Sequence, residues 1–178
     1  MIVYRVDRDD SIVYVNAEWE RFAQENAGGL LVTAKIIHTS IWDHVTDSIT
    51  IELYREIMRG VREGRPVQFT FRCDAPDLRR LLTMSIQPLD KGGVEFTTTL
   101  IRAESRTYQR VLEPAGAGGV TTLNCCSWCK RFEVRGSWVE VEDAVEQLKL
   151  FERANMPLTS HGICADCFRR MKELEGAP

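Results

Sequence analysis

The chain has 178 residues, 44% of them hydrophobic and 28% charged, enough for one medium domain or two small ones. A net charge of -3 and a pI near 5.7 argue against a protein built to neutralise phosphates, and so against nucleic acid as the main partner. No run of about 18 apolar residues occurs, and the start MIVYRVDRDD lacks the basic and apolar regions of a signal peptide, which points away from membranes and export and towards the cytoplasm.

In chain order, Ile2 to Arg5 and Ser11 to Val15 read as strands joined through the turn-forming Asp7-Arg8-Asp9-Asp10. Asn16 stands where a helix N-cap belongs, and Trp19, Phe22 and Ala23 follow at helical spacing until Gly28-Gly29. A second helix is predicted from about Ser48 to Glu63, with Ile49, Leu53, Tyr54, Ile57, Met58 and Val61 on one face and Gly64 with Pro66 as its stop. Val67, Phe69 and Phe71 then alternate with polar residues. Leu82, Met84 and Ile86 do the same, and Asp90 to Gly93 turns the chain into Val94, Phe96, Thr98 and Leu100. Arg72, Arg79 and Arg80 with Asp74 and Asp77 surround Pro76, which reads as a solvated charged turn, with a partner-binding edge as the alternative. Glu104 to Asn124 holds the run Glu113 to Gly119, poor in apolar residues, and reads as a linker.

The six cysteines belong to a chain with no export signal, so thiols or metal ligands are expected rather than a disulfide framework. Four form two pairs, Cys126-Ser-Trp-Cys129 and Cys164-Ala-Asp-Cys167. Two residues between cysteines let both sulfurs face one ion, and two such pairs complete the tetrahedral thiolate shell that zinc favours. Four sulfurs leave no open position for water, so the metal would be structural. Between the pairs, Phe132 to Val141 can form a hairpin turning at Arg135-Gly136-Ser137. Val141, Ala144, Val145, Leu148 and Phe151 then share a helical face, and Cys164 and Cys167 open a last helix, where backbone donors favour thiolates. This is a treble-clef-like arrangement with an inserted helix. So small a module has little apolar surface for a core, which gives the ion a physical role.

The same pairs support a second reading, a thiol-based redox sensor or oxidoreductase in which Cys126 with Cys129, or Cys164 with Cys167, changes oxidation state. His161 could replace one sulfur or donate to one, and Cys125 could substitute for Cys126, although only Cys126 has the two-residue spacing. Cys73 is read as a small core residue. Trp42, Trp128 and Trp138 are read as packing aromatics. His38 and His44 could in principle ligate a haem iron, but a lone histidine near apolar residues is more often held by hydrogen bonds. From Leu123 to the end, eight Lys and Arg face nine Asp and Glu, without the basic face of a nucleic-acid-binding finger. No phosphate loop, nucleophile elbow, HExxH or distinctive carboxylate pair occurs, so no enzyme activity is expected.

The words IVYVNAEWERFA, IWDHV and GRPVQFTFRCDAPDLRRLLTMSIQPL, with the element order above, resemble a PAS domain over residues 1 to 102. The resemblance implies an α+β fold, a five-stranded antiparallel sheet with helices over one face, whose core can accept an unidentified small ligand. CSWCKR, a Trp-containing strand and SHGICADC resemble a cysteine-rich tail that follows PAS, GAF and receiver domains in bacterial signalling proteins. Cys125, in place of an aliphatic residue, and Ala165, in place of a proline, depart from that pattern. The division implied is a sensor domain over 1–103, a linker over 104–122 and a zinc-binding module with four cysteine ligands over 123–178. The resemblance further implies signal transduction through contact with a protein partner, with homodimerisation open.

Overall fold

The structure is a computed structural model describing residues 1–25, 32–45, 47–113, 121–153 and 155–175. The expected helix stop at Gly28-Gly29 and residues 114–120 of the expected linker lie outside these. The chain forms two compact units. One comprises Met1–Phe69, Thr83–Leu100 and Met171–Pro178, and the other Thr70–Leu82 and Ile101–Arg170.

Strands β1 (Ile2–Val6) and β2 (Ile12–Val15) pair antiparallel, Tyr4 opposite Val15 and Val6 opposite Ile12. The Asp7 carboxylate closes their turn by accepting the backbone N–H groups of Asp9 at 2.9 Å and Ser11 at 3.0 Å. Helix α1 (Ala17–Glu25) starts as predicted, because the Asn16 side chain accepts from the Trp19 N–H at 3.1 Å. A short helix α2 (Thr33–Ile36) and a 310 turn (Ile41–His44) follow, neither of them predicted. The Glu20 carboxylate organises the first by accepting from both the hydroxyl and the N–H of Thr33, which holds its pKa below the usual range.

Helix α3 (Ser48–Arg62) is capped by Asp47, which accepts from the Thr50 N–H at 2.8 Å. Leu53, Ile57, Met58 and Val61 are buried as its spacing requires, each worth about 1.5–3 kcal/mol of transfer free energy. Ile49, expected on that face, is instead exposed, since it sits in the first turn before the buried stripe begins. Gly64 ends the helix with φ +91°, a conformation that a side chain would strain.

Strands β3 (Val67–Arg72), β4 (Leu78–Pro88) and β5 (Val94–Ser105) complete a five-stranded antiparallel sheet in the order β2-β1-β5-β4-β3. Leu82, Met84 and Ile86 are buried, as the alternation predicts. On the same side lies Phe96, stacked on Tyr4 with ring centroids 4.5 Å apart, while the Tyr54 ring of α3 meets both Phe69 and Phe96. This is the expected α+β, PAS-like layer of helices on one sheet face.

In the second unit, β6 (Thr122–Cys126), β7 (Phe132–Val134), β8 (Ser137–Val139), helix α4 (Val141–Gln147), β9 (Leu158–Gly162) and, up to Arg170, helix α5 (Ala165–Glu175) follow in order. Arg135 and Gly136 both have positive φ, 51° and 81°, which makes the predicted β7-β8 hairpin a two-residue turn of the type that matches strand twist. The sheet order is β8-β7-β6-β9, and β9 runs parallel to β6 from Thr122 opposite Leu158 to Cys126 opposite Gly162. Val141, Ala144 and Val145 join Val111, Leu123, Phe132 and Leu150 in its core, with Leu148 at the margin. Phe151, predicted on that face, is 70% exposed. The helix ends at Gln147 and Lys149 adopts φ 51°, which resets the periodicity and puts Leu150 in the core instead.

Candidate metal centre

The parallel pairing of β6 with β9 brings the two cysteine pairs to the same end of one sheet. β6 ends at Cys126, and a tight turn carries the chain through Cys129. It is held by the Lys130 N–H donating to the Cys126 carbonyl at 2.9 Å and the Cys126 N–H donating to the Arg131 carbonyl at 2.8 Å. β9 ends at Gly162, whose carbonyl accepts from the Ser127 N–H at 2.8 Å, and α5 then starts so that Cys164 immediately precedes it and Cys167 lies on its first turn. The Phe168 N–H donates to the Cys164 carbonyl at 2.9 Å.

The sulfurs of Cys126, Cys129, Cys164 and Cys167 all lie within 4.8 Å of one another, the set chosen from the sequence. Cys129 Sγ and Cys164 Sγ are 3.8 Å apart. A tetrahedron of sulfurs about 2.3 Å from a central ion has an edge of about 3.8 Å, so the spacing fits a tetrathiolate metal site. Cys126, Cys164 and Cys167 are buried and Cys129 is half-buried. Backbone amides face the sulfurs: Cys164 N–H donates to Cys126 Sγ and Cys167 N–H to Cys164 Sγ, both at 3.4 Å. These donors favour thiolate over thiol before any ion is considered.

Cys126, Cys129 and Cys167 shift in opposite directions. Hydrogen bonds from Cys129 and Cys167, reinforced by the amides of Cys164 and Cys129, hold Cys126 far below the usual thiol range. Its partners keep their protons: Cys129 is pushed up to about 12 chiefly by its bond to Cys126, and Cys167 is raised further for the same reason. A divalent cation binding among the four sulfurs displaces their protons.

Cys125 stands apart. It is 1% exposed among Val111, Leu123 and Phe132 in the core, and burial pushes its thiol up to about 11. His161, opposite Cys125 in the β6-β9 ladder, is exposed and outside the sulfur cluster. Cys73 is half-buried just after β3.

An ion-pair network braces the centre, and it corrects the expected solvated turn around Pro76. The Asp74 side chain is 0% exposed and takes Arg72 and Arg106, the latter at 2.8 Å and itself only 5% exposed. Arg72 also reaches Glu140 at 2.6 Å, Arg131 reaches Glu140 at 3.1 Å, and Arg106 and Arg79 share Glu142. Burial opposes the charge on Arg72, but its bonds to Asp74 and Glu140 outweigh this and hold its pKa above the usual arginine value. Arg106 is remote in sequence from Asp74, and no local pattern announces the pair.

The PAS-like unit has a separate cavity of about 240 Å³, lined mainly by apolar side chains including Tyr4, Trp19, Ile36, Trp42 and Tyr54. This lies between a benzene-sized void of about 150 Å³ and the about 300 Å³ at which drug-sized pockets begin. His44 reaches its wall with Nε2 2.8 Å from the Thr39 hydroxyl, while the His38 N–H donates to the Ile12 carbonyl. Trp42 donates its indole N–H to Asp10 at 2.8 Å, so it is a packed and anchored aromatic.

No protein-family profile and no curated protein matches the chain. Among solved structures, the chain is similar to the PAS-B domain of Drosophila melanogaster Cycle with bound ethylene glycol. Identity is 13% over 57% of this chain and 100% of that one, with a TM-score of 0.39. It is also similar to a tryptophan-to-alanine variant of that domain with bound glycerol, at 12% identity, the same coverage and a TM-score of 0.37. Among the described residues no helix is long and apolar enough to cross a membrane.

Proposed function

We propose that the chain is a bacterial, cytoplasmic sensory protein in which a PAS-like domain works with a structural zinc module and passes its signal on by protein contact. The observation that carries the reading is the convergence of four cysteine sulfurs within 4.8 Å at one end of the β6-β9 pair. Zinc is the ion of choice because it accepts four thiolates without redox change, and four sulfurs leave no coordination position for a substrate. The module is therefore a staple, and no enzymatic step is assigned to it. The apolar cavity of the sensor domain is the place for a small, largely uncharged ligand. The partner is a signalling protein, with a second copy of the chain as a further one.

Elemental analysis of protein purified under reducing conditions tests this directly. The expected result is about one zinc per chain, with four thiols becoming reactive on chelation. Metal-free protein with a folded second unit would overturn the reading.

One observation favours a second reading, a thiol redox sensor. Cys129 is the half-buried sulfur of the four and lies 3.8 Å from Cys164, within reach of an oxidant and of a partner for it. Reversible loss of zinc with peroxide, and disulfide formation within the cluster, would support it.

A further inference from the structure

The wall of the cavity in the PAS-like unit has a chemistry of its own. Its described lining residues all lie between Tyr4 and Tyr54, within one compact unit, and four of them present aromatic rings: Tyr4, Trp19, Trp42 and Tyr54. A void of about 150 Å³ holds the six carbons of benzene, so a cavity of about 240 Å³ takes about ten heavy atoms in the same ratio.

Neither sign of charge finds a partner there. Among the described residues of the wall there is no Asp, Glu, Lys or Arg, so an ion entering the cavity would lose its water without gaining a counter-ion. Rings of Tyr and Trp can hold a quaternary ammonium by their faces, but the Arg55 guanidinium already lies 5.0 Å from the centre of the Trp42 ring and repels a second cation.

Two polar groups of the wall are engaged. The Trp42 indole N–H donates to Asp10 at 2.8 Å, and His44 Nε2 lies 2.8 Å from the Thr39 hydroxyl. The Tyr4 hydroxyl has no hydrogen-bond partner among the described residues, and burial, with Tyr54 nearby, raises its pKa well above the usual tyrosine value. It therefore keeps its proton and remains a donor. Its ring is fixed, stacked on Phe96 at 4.5 Å and edge-on to Trp19 at 5.2 Å.

We propose that the cavity binds a neutral, planar aromatic molecule of about ten heavy atoms bearing one hydrogen-bond acceptor, which takes the hydrogen bond of the Tyr4 hydroxyl. Offset and edge-to-face contacts with Tyr and Trp rings favour an aromatic occupant over an aliphatic one of the same size. The inference rests on the reading of this cavity as a ligand site and names the class of molecule that enters it.

A protein NMR titration of the full chain with four probes, each of about ten heavy atoms, tests it. Quinoline is aromatic with a ring-nitrogen acceptor, naphthalene lacks the acceptor, cyclononanone has an acceptor without the ring, and phenyltrimethylammonium carries a positive charge. Quinoline and naphthalene are expected to bind one per chain, shifting the indole signals of Trp19 and Trp42, with dissociation constants on the order of 100 μM or tighter. Cyclononanone and the cation should bind about tenfold more weakly or worse. Tyr4→Phe keeps the ring stack, so it should weaken quinoline about threefold to tenfold and leave naphthalene within about twofold, a split that general damage to the fold would not produce. Tighter binding of cyclononanone or of the cation, an unchanged quinoline affinity in Tyr4→Phe, equal losses for both aromatics, or failure of both to bind would each overturn the proposal. In the last case, binding of cyclononanone or of the cation would keep the cavity as a ligand site of another class, whereas silence from all four probes would remove the ligand-site reading as well.

Discussion

The backbone N–H of Arg72 donates to the carbonyl of Trp128 at 2.7 Å, tying the last residue of β3 to the turn between Cys126 and Cys129. The Arg72 side chain meanwhile holds Asp74 and Glu140. One residue thus fixes the turn that presents two sulfurs by its main chain and braces the surrounding elements by its side chain.

The first expectation concerns the sulfurs. Cys126→Ser should abolish zinc binding and unfold the second unit, read by metal content and by near-ultraviolet circular dichroism of Trp128 and Trp138. Cys125→Ala should keep the ion and cost about 1–2 kcal/mol, a small core void. Equal effects of the two substitutions would contradict the assignment of ligands.

The buried acid is the second. Asp74→Ala removes one of the two carboxylate partners of Arg106, 5% exposed, and one of those of Arg72, so a loss of about 3–5 kcal/mol is expected in urea unfolding followed by tryptophan fluorescence. A loss below about 1 kcal/mol would show that these charges are solvated after all.

Acidification gives the third. Burial tends to raise the pKa of Glu140, but Arg72, Arg131 and Arg79 outweigh it and lower it; burial acts the same way on Glu142, and its own backbone amide, Arg106 and Arg79 outweigh it there. A carboxylate depressed by folding stabilises above its unfolded pKa, and that contribution disappears as pH falls through the depressed value. Thermal stability of the second unit should therefore fall on acidification below the ordinary carboxylate range. Glu142→Gln should be less stable near neutrality and show a shallower acid slope; parallel slopes would exclude a role for this group.

In the PAS-like unit, Phe96→Ala should cost about 3–5 kcal/mol, since Phe96 is 0% exposed and stacked on Tyr4. Chemical denaturation measures it. An absorbance spectrum of the purified protein addresses the cavity: a visible band would identify a coloured ligand such as haem or flavin.

Much of the fold was legible because its signals are local. Leu82, Met84 and Ile86 alternate, Asn16 is a cap residue in the right place, and two CxxC pairs announce their chemistry by spacing alone. What escaped notice depends on partners distant in sequence or on one backbone angle. The parallel β6-β9 ladder has no local signature, Asp74 gives no hint of Arg106, and the left-handed Lys149 exchanges Phe151 for Leu150 in a way that helical periodicity cannot register.

The β6-β9 ladder also bears on the order of folding. It joins residues as distant as Thr122 and Leu158, so the chain must close a long loop before its second pair of sulfurs meets the first. Until then Cys126 and Cys129 form a two-thiol half-site, able to hold a soft ion loosely or to be oxidised. The rate at which zinc becomes resistant to a chelator during refolding should therefore report the arrival of β9 rather than the encounter of ion and protein.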